Sequence, residues 1–81
     1  MNCDNLYLQK ALVITDVDKL GETFKKRRKE LGMSQFNVAL EADVPVATIC
    51  NIEKHGKIPV IPVLLRCATA LGYDRVIFDL L

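Results

Sequence analysis

The sequence predicts a mainly helical domain of four or five short helices, with room for short β-strands at the two termini. Three observations predict it. Hydrophobic residues are 51% of the 81-residue chain and charged residues 26%, the balance of a globular chain and not a disordered one. Apolar residues recur three and four apart through the middle of the chain, the period of helices with one buried face. Gly, Pro, Ser and Asp fall between these stretches, where helices start and stop. A chain of this length makes one domain and buries only about 60% of its unfolded surface, so the core is thin.

Residues 1–14 read two ways. Apolar positions 6, 7, 8, 11, 12, 13 and 14 suit either a helical turn or a short strand at "ALVI". Thr15, with Asp18 three residues later, makes a capping-box-like pair that opens a first helix from about Asp16 to Leu31. Val17, Leu20, Phe24 and Leu31 mark its buried stripe, with Arg27 and Arg28 filling the missing turn. Gly32 ends it in a left-handed conformation.

Ser34 caps a second helix that runs to about Ala42, with Val38 and Ala39 facing inward. The small Ala39 lets a crossing helix come close. Asp43 closes the turn and Val44 tucks beneath it; Asp tolerates a left-handed backbone better than most residues. Pro45 suits the first turn of a third helix, roughly residues 45–54, whose inward residues are Ile49 and Ile52. Val46, Ala47, Cys50 or Asn51, and Lys54 point outward, and Gly56 terminates it. A fourth helix begins near Pro62 and ends at Leu71 before Gly72, with Leu64, Leu65, Ala68 and Leu71 on its apolar face. Val76, Ile77 and Phe78 are β-formers in series and predict a closing strand, with a last short helix as the alternative.

The second and third helices, "GMSQFNVALEADVPVATICNIEKHG" at residues 32–56, are separated by barely three residues. Helices shorter than about 12 residues are marginal alone. These two persist by packing on each other and on the rest of the domain, so the corner sets an angle and the third helix is presented by it. A helix held this way can enter the DNA major groove, about 12 Å wide, with its N-terminal residues toward the bases.

The net charge of +1 argues for no partner, but its distribution is uneven. Residues 1–22 carry net −2, from Lys10 and Lys19 against Asp4, Asp16, Asp18 and Glu22. Residues 23–57 carry net +3, from seven basic groups against Glu30, Glu41, Asp43 and Glu53. The basic segment contains both presented helices. "KKRRK" at 25–29 spreads its charges over all faces of a helix, which fits a solvated face as well as phosphate contact. Cys3, Cys50 and Cys67 are odd in number and lack metal-site spacing, so Cys50 and Cys67 read as small buried hydrophobes of a reducing cytosol. His55 reads as a solvated turn residue and Met33 as a core filler. No secretory leader pattern is visible, and "IPVIPVLL" is too short to span a bilayer, so a cytoplasmic protein is expected. One histidine, no paired carboxylates and no Gly-rich phosphate loop argue against an enzyme, and no cofactor or metal is expected.

Taken in order, Gly32, Ser34–Gln35, Ala39, Val44, Ile49, Glu53, Pro59 and "ALG" at 70–72 resemble the phage-repressor-like helix-turn-helix family, also called the Xre or Cro/C1-type DNA-binding domain. The resemblance covers roughly residues 19–73. It implies an N-terminal arm over 1–14, a helix-turn-helix domain over 15–73 and a C-terminal strand or tail over 74–81. It implies a structural ion pair between Arg28 and Glu53. It also implies DNA contacts from Ser34, Gln35, Val46, Ala47, Thr48, Asn51, Lys54 and Lys57: the base-reading face at 46–51, and phosphate contacts at the start of the second helix and after the third. The function it implies is a sequence-specific transcriptional regulator, a dimeric repressor on a double-stranded operator. Small members that add a terminal strand include autoregulating antitoxins with a toxin partner.

The chain departs from the family pattern at three places. Pro45 stands where Ser or Thr usually caps the recognition helix. Val46 and Ala47 cannot hydrogen-bond to bases, which leaves thymine methyl contacts and polar readout by Thr48 and Asn51. Phe36 and Leu40 form an exposed apolar pair on the second helix, where polar residues are usual. That pair supports an alternative function, a protein-interaction module with weak or no DNA binding.

Overall fold

Strand β1, Ala11–Ile14, turns Leu12 and Ile14 into the core and leaves Val13 on the surface. The strand is thus the form that "ALVI" takes. The computed structural model describes residues 10–80; the apolar positions 6–8 of the N-terminal arm, and Cys3, lie outside them.

The helical part starts at Asp16. Its carboxylate accepts the N–H of Asp18 at 2.9 Å and opens a 3-10 turn over Val17–Lys19. The cap is therefore Asp16, one residue after the expected Thr15. Helix α1 follows over Leu20–Glu30 and buries Leu20 and Phe24. Val17 and Leu31, expected in its buried stripe, are 38% and 41% exposed. The tight turn lifts Val17 off the helical stripe, and Leu31 sits at the C-cap, past the last residue that packs inward.

The caps of the next two helices are those the sequence marks. Helix α2, Gln35–Ala42, is capped by Ser34, and helix α3, Val46–His55, ends at Gly56 with φ +62°. Pro45 precedes α3 in an extended conformation and is not part of its first turn. Val38, Ala39 and Ala42 of α2 meet Ile49 and Ile52 of α3 in the core. Helix α4, Ile61–Ala70, carries Pro62 in its first turn and buries Leu64, Cys67 and Ala68. Leu65, expected on the apolar face, is 44% exposed; the buried face runs through Leu64, Cys67 and Ala68, and Leu65 lies beyond its edge. Arg66 on α4 donates from Nε to the carbonyl of Ala42 at 3.0 Å, satisfying an orphan carbonyl at the end of α2. Cys67 is fully buried, and burial pushes its thiol pKa up, against the smaller opposing effect of the Arg66 charge.

Strand β2, Arg75–Phe78, closes the described chain. It pairs with β1 in parallel, with Ala11 opposite Arg75 and Ile14 opposite Phe78. Bonds from Asp74 N–H to Lys10 C=O at 2.8 Å and from Asp79 N–H to Ile14 C=O at 2.9 Å continue the ladder at both ends. Parallel strands need a long crossover, and here the whole helical body supplies it. Among the described residues the result is four α-helices with a two-stranded parallel sheet, a small helix-turn-helix domain. Helix α3 packs on α1 and α2, while the sheet packs on α4.

Candidate nucleic-acid interface

The corner between α2 and α3 is built from local hydrogen bonds. Ser34 Oγ accepts from the N–H of Asn37 at 3.0 Å, and Asn37 Oδ1 accepts from the N–H of Ser34 at 3.0 Å. This reciprocal box fixes where α2 begins. At the other end Asp43 takes the left-handed conformation, φ 57° and ψ 52°, and the N–H of Val44 returns to the carbonyl of Ala39 at 3.0 Å. Pro45 then aims the chain into α3 without a side-chain cap.

Helix α3 is anchored by Ile49 and Ile52, both fully buried. The opposite face carries Val46, 44% exposed, with Ala47, Asn51 and Lys54 also exposed and Thr48 half-buried. The N–H of Lys57 donates to the carbonyl of Asn51 at 3.2 Å, which folds the following segment back along α3. Thr48, Asn51 and Lys57, with Ile58 and Pro59, line a cleft of about 170 Å³. This face offers methyl groups, one amide able to make a bidentate contact with adenine, and two flanking ammonium groups.

Glu53 ties three helices together from behind that face. Arg28 on α1 donates from Nε to Oε2 at 2.7 Å and from Nη2 to Oε1 at 3.0 Å. Its Nη1 holds the carbonyl of Met33 at 2.9 Å. Gln35 at the start of α2 donates from Nε2 to Glu53 Oε1 at 3.1 Å. The side chains of Arg28 and Glu53 are only 11% and 4% exposed. Burial is the largest single influence on the Glu53 carboxyl and pushes its pKa up. The hydrogen bonds from Arg28 and Gln35, with the charges of Arg28 and Lys25, together outweigh burial and hold the carboxyl below its ordinary value. The hydrogen bond to Glu53 chiefly raises the pKa of Arg28, against burial.

The predicted residues thus fall into two groups. Val46, Ala47, Thr48, Asn51, Lys54 and Lys57 lie along α3 and the segment after it. Ser34 and Gln35 lie at the start of α2, where the Ser34 hydroxyl and the Gln35 amide already hold partners within the chain. Lys25, which sequence reasoning left among the charges of "KKRRK", lines a cleft of about 240 Å³ with Gln35, Cys50, Glu53 and Lys54. Only the fold brings α1 to this place, so spacing along the chain carries no signal for it. Cys50, expected to be buried, is half-exposed in that cleft. Among the described residues no helix is long and apolar enough to cross a membrane, and no cluster of three metal-ligating side chains occurs.

No protein-family model and no curated protein matches the chain. A solved structure of the nucleoprotein complex C.Esp1396I contains a chain similar to this one. The two are 26% identical, with a TM-score of 0.66, over 72% of this chain and 75% of the other.

Proposed function

We propose that the chain is a sequence-specific DNA-binding transcriptional regulator, acting in the cytoplasm as a homodimeric repressor on a double-stranded operator. The observation that carries this reading is the outward face of α3. Val46, Ala47 and Asn51 are exposed there, while Ile49, Ile52 and the Arg28–Glu53 pair hold the helix rigidly from behind. The similarity to a chain of a nucleoprotein complex supports it. Each subunit would set α3 in a major groove, with half-sites about one turn, ~34 Å, apart on a roughly palindromic site. Thr48 and Asn51 would read base edges, and Val46 and Ala47 would contact thymine methyls. Ser34, Gln35, Lys54 and Lys57 would contact the sugar–phosphate backbone. Gln35 would do so through its backbone N–H at the start of α2, since its amide nitrogen is held by Glu53.

Titration of duplex DNA at graded salt tests the reading. Affinity should fall steeply between about 50 and about 200 mM salt as counterions are released. Absence of duplex binding at the lowest salt refutes it.

A second reading is favoured by one observation. Phe36 and Leu40, four apart on α2, are 63% and 68% exposed. A face of this kind fits a protein partner. In the narrower form of the proposal the chain is an antitoxin that represses its own genes and holds a toxin there. In the alternative form, it binds a protein and DNA hardly at all.

A further inference from the structure

The β1–β2 sheet has only two strands among the described residues, so β2 meets no third strand on its far side. Two strands alone are marginal, and parallel sheets are almost always covered on both faces. Here one face packs on the core through Leu12 and Ile14 and the other is open. Val13 and Ile77, opposite each other in the register, are 48% and 40% exposed, and Phe78 and Leu80 are 46% and 54% exposed. Proteins usually blunt such an edge with Lys, Pro or a bulge near its centre. Residues 76–78, "VIF", contain none of these; the only charges of the segment stand at Asp74, Arg75 and Asp79.

Those charges select a partner. Two copies of β2 laid antiparallel about a two-fold axis at Ile77 set Ile77 against itself and Val76 against Phe78. The same register sets Arg75 of each copy opposite Asp79 of the other. A slip of one residue in one direction sets Asp74 against Asp79, and in the other direction sets Val76 against Asp79. Only the register centred on Ile77 pairs opposite charges and keeps apolar residues together. Opposite charges across strands stabilise and like charges destabilise. We infer that β2 is a self-complementary edge that joins two copies of this chain in one four-stranded sheet, ordered β1-β2-β2-β1. The sheet packs on α4, whereas α3 packs on α1 and α2, so the proposed junction and α3 belong to different parts of the domain. Within the chain Arg75 also meets the Asp74 carboxylate at 3.4 Å, an exposed contact.

The inference gives the dimer of the proposed function its interface, and its test uses no DNA, so either can fail without the other. Sedimentation equilibrium of the full chain should show a dimer. Arg75→Asp sets carboxylates against carboxylates, and Asp79→Arg sets guanidiniums against guanidiniums. Each single change should weaken the dimer by about tenfold or more while circular dichroism keeps the helical signal. The double exchange R75D/D79R should restore dimerisation to near the parental level, a rescue that a merely structural role of either residue would not produce. A monomeric parent chain overturns the inference. A dimer indifferent to both single changes and broken by Leu40→Asp also overturns it and moves the contact to α2.

Discussion

Gly21 of α1 passes so close to α3 that a Cβ on it would lie 2.6 Å from the carbonyl oxygen of Ile52 and 2.7 Å from that of Glu53. Both obstacles are backbone, so no side chain can swing aside. Alanine is the better helix former by about 1 kcal/mol, and on propensity alone Gly21→Ala would stabilise. The clash decides the sign. Seating a methyl group there pushes α3 away from α1 and strains the Arg28–Glu53 pair that lies beside the crossing. The substitution should cost about 2–3 kcal/mol net, within the range of overpacked cores. For a chain of this size that is a fall in Tm of about 8–20 °C, read by thermal unfolding. A variant as stable as the parent would mean that the two helices cross farther apart.

Glu53→Gln should expose what holds α3 from behind. The change keeps the shape but leaves Arg28 without its counter-charge in a site only 11% exposed. Breaking a pair of this kind costs about 3 kcal/mol at neutral pH. It should also change the pH dependence. The carboxyl pKa of folded Glu53 lies below its unfolded value, so its stabilisation is complete above about pH 4.3 and is lost as pH falls through the folded value. Denaturant midpoints measured from about pH 6 down to about pH 3 should therefore drop in the parent more steeply than in Glu53→Gln. Parallel curves would show that Glu53 is not a proton-linked anchor. Arg28→Lys should recover little, because a single ammonium cannot reproduce the two-pronged bond.

Most of the helical skeleton is legible in the sequence because its punctuation is local. Gly32, Ser34, Asp43 and Gly56 each act through their own backbone geometry, and each stands in the structure where its chemistry demands, with φ of 69°, −82°, 57° and 62°. Side-chain burial at the ends of helices is less legible. Val17, Leu31 and Leu65 share the apolar character of their neighbours, yet their exposure depends on where the packing partner ends, which no period encodes. The role of Gly21 is hidden for a related reason. A lone glycine inside a helical pattern signals a close approach, but the element that approaches lies 31 residues away. The Gln35–Glu53 bond and the place of Lys25 beside it arise the same way, from three helices meeting. The closing strand is legible as a strand, and "ALVI" as one of two forms, of which the structure takes the strand. That the two terminal segments can pair is legible from their β-forming residues; the parallel orientation is not, since composition does not say which way one strand runs along the other.

Leu40→Asp separates folding from recognition. Leu40 is 68% exposed and Phe36 63%, so among the described residues neither is held by the core. The charge should leave unfolding free energy within about 0.5 kcal/mol of the parent. If α2 carries a protein partner, the same change should abolish that complex while duplex affinity stays within about threefold, since steering charges alter by only one unit. A large loss of stability instead would mean that Leu40 is covered in the free protein.

Asn51→Ala bears most directly on sequence reading. Asn51 is exposed on α3, its carbonyl already holding the N–H of Lys57, so its side chain is free of any role in closing the helix. A bidentate amide–adenine contact predicts a loss of about 1–3 kcal/mol at the cognate site and almost none on random duplex. Lys54→Ala and Lys57→Ala should behave in the opposite way. Each should weaken both duplexes by similar factors and reduce the slope of log affinity against log salt by about one, the result expected if each lysine makes one of the proposed phosphate contacts. Fluorescence anisotropy with a selected operator and a scrambled duplex, at several salt concentrations, separates the two patterns. Equal losses on both duplexes for Asn51→Ala would remove it from the base-reading face. An unchanged salt slope for both lysine variants would remove the segment after α3 from the backbone contact.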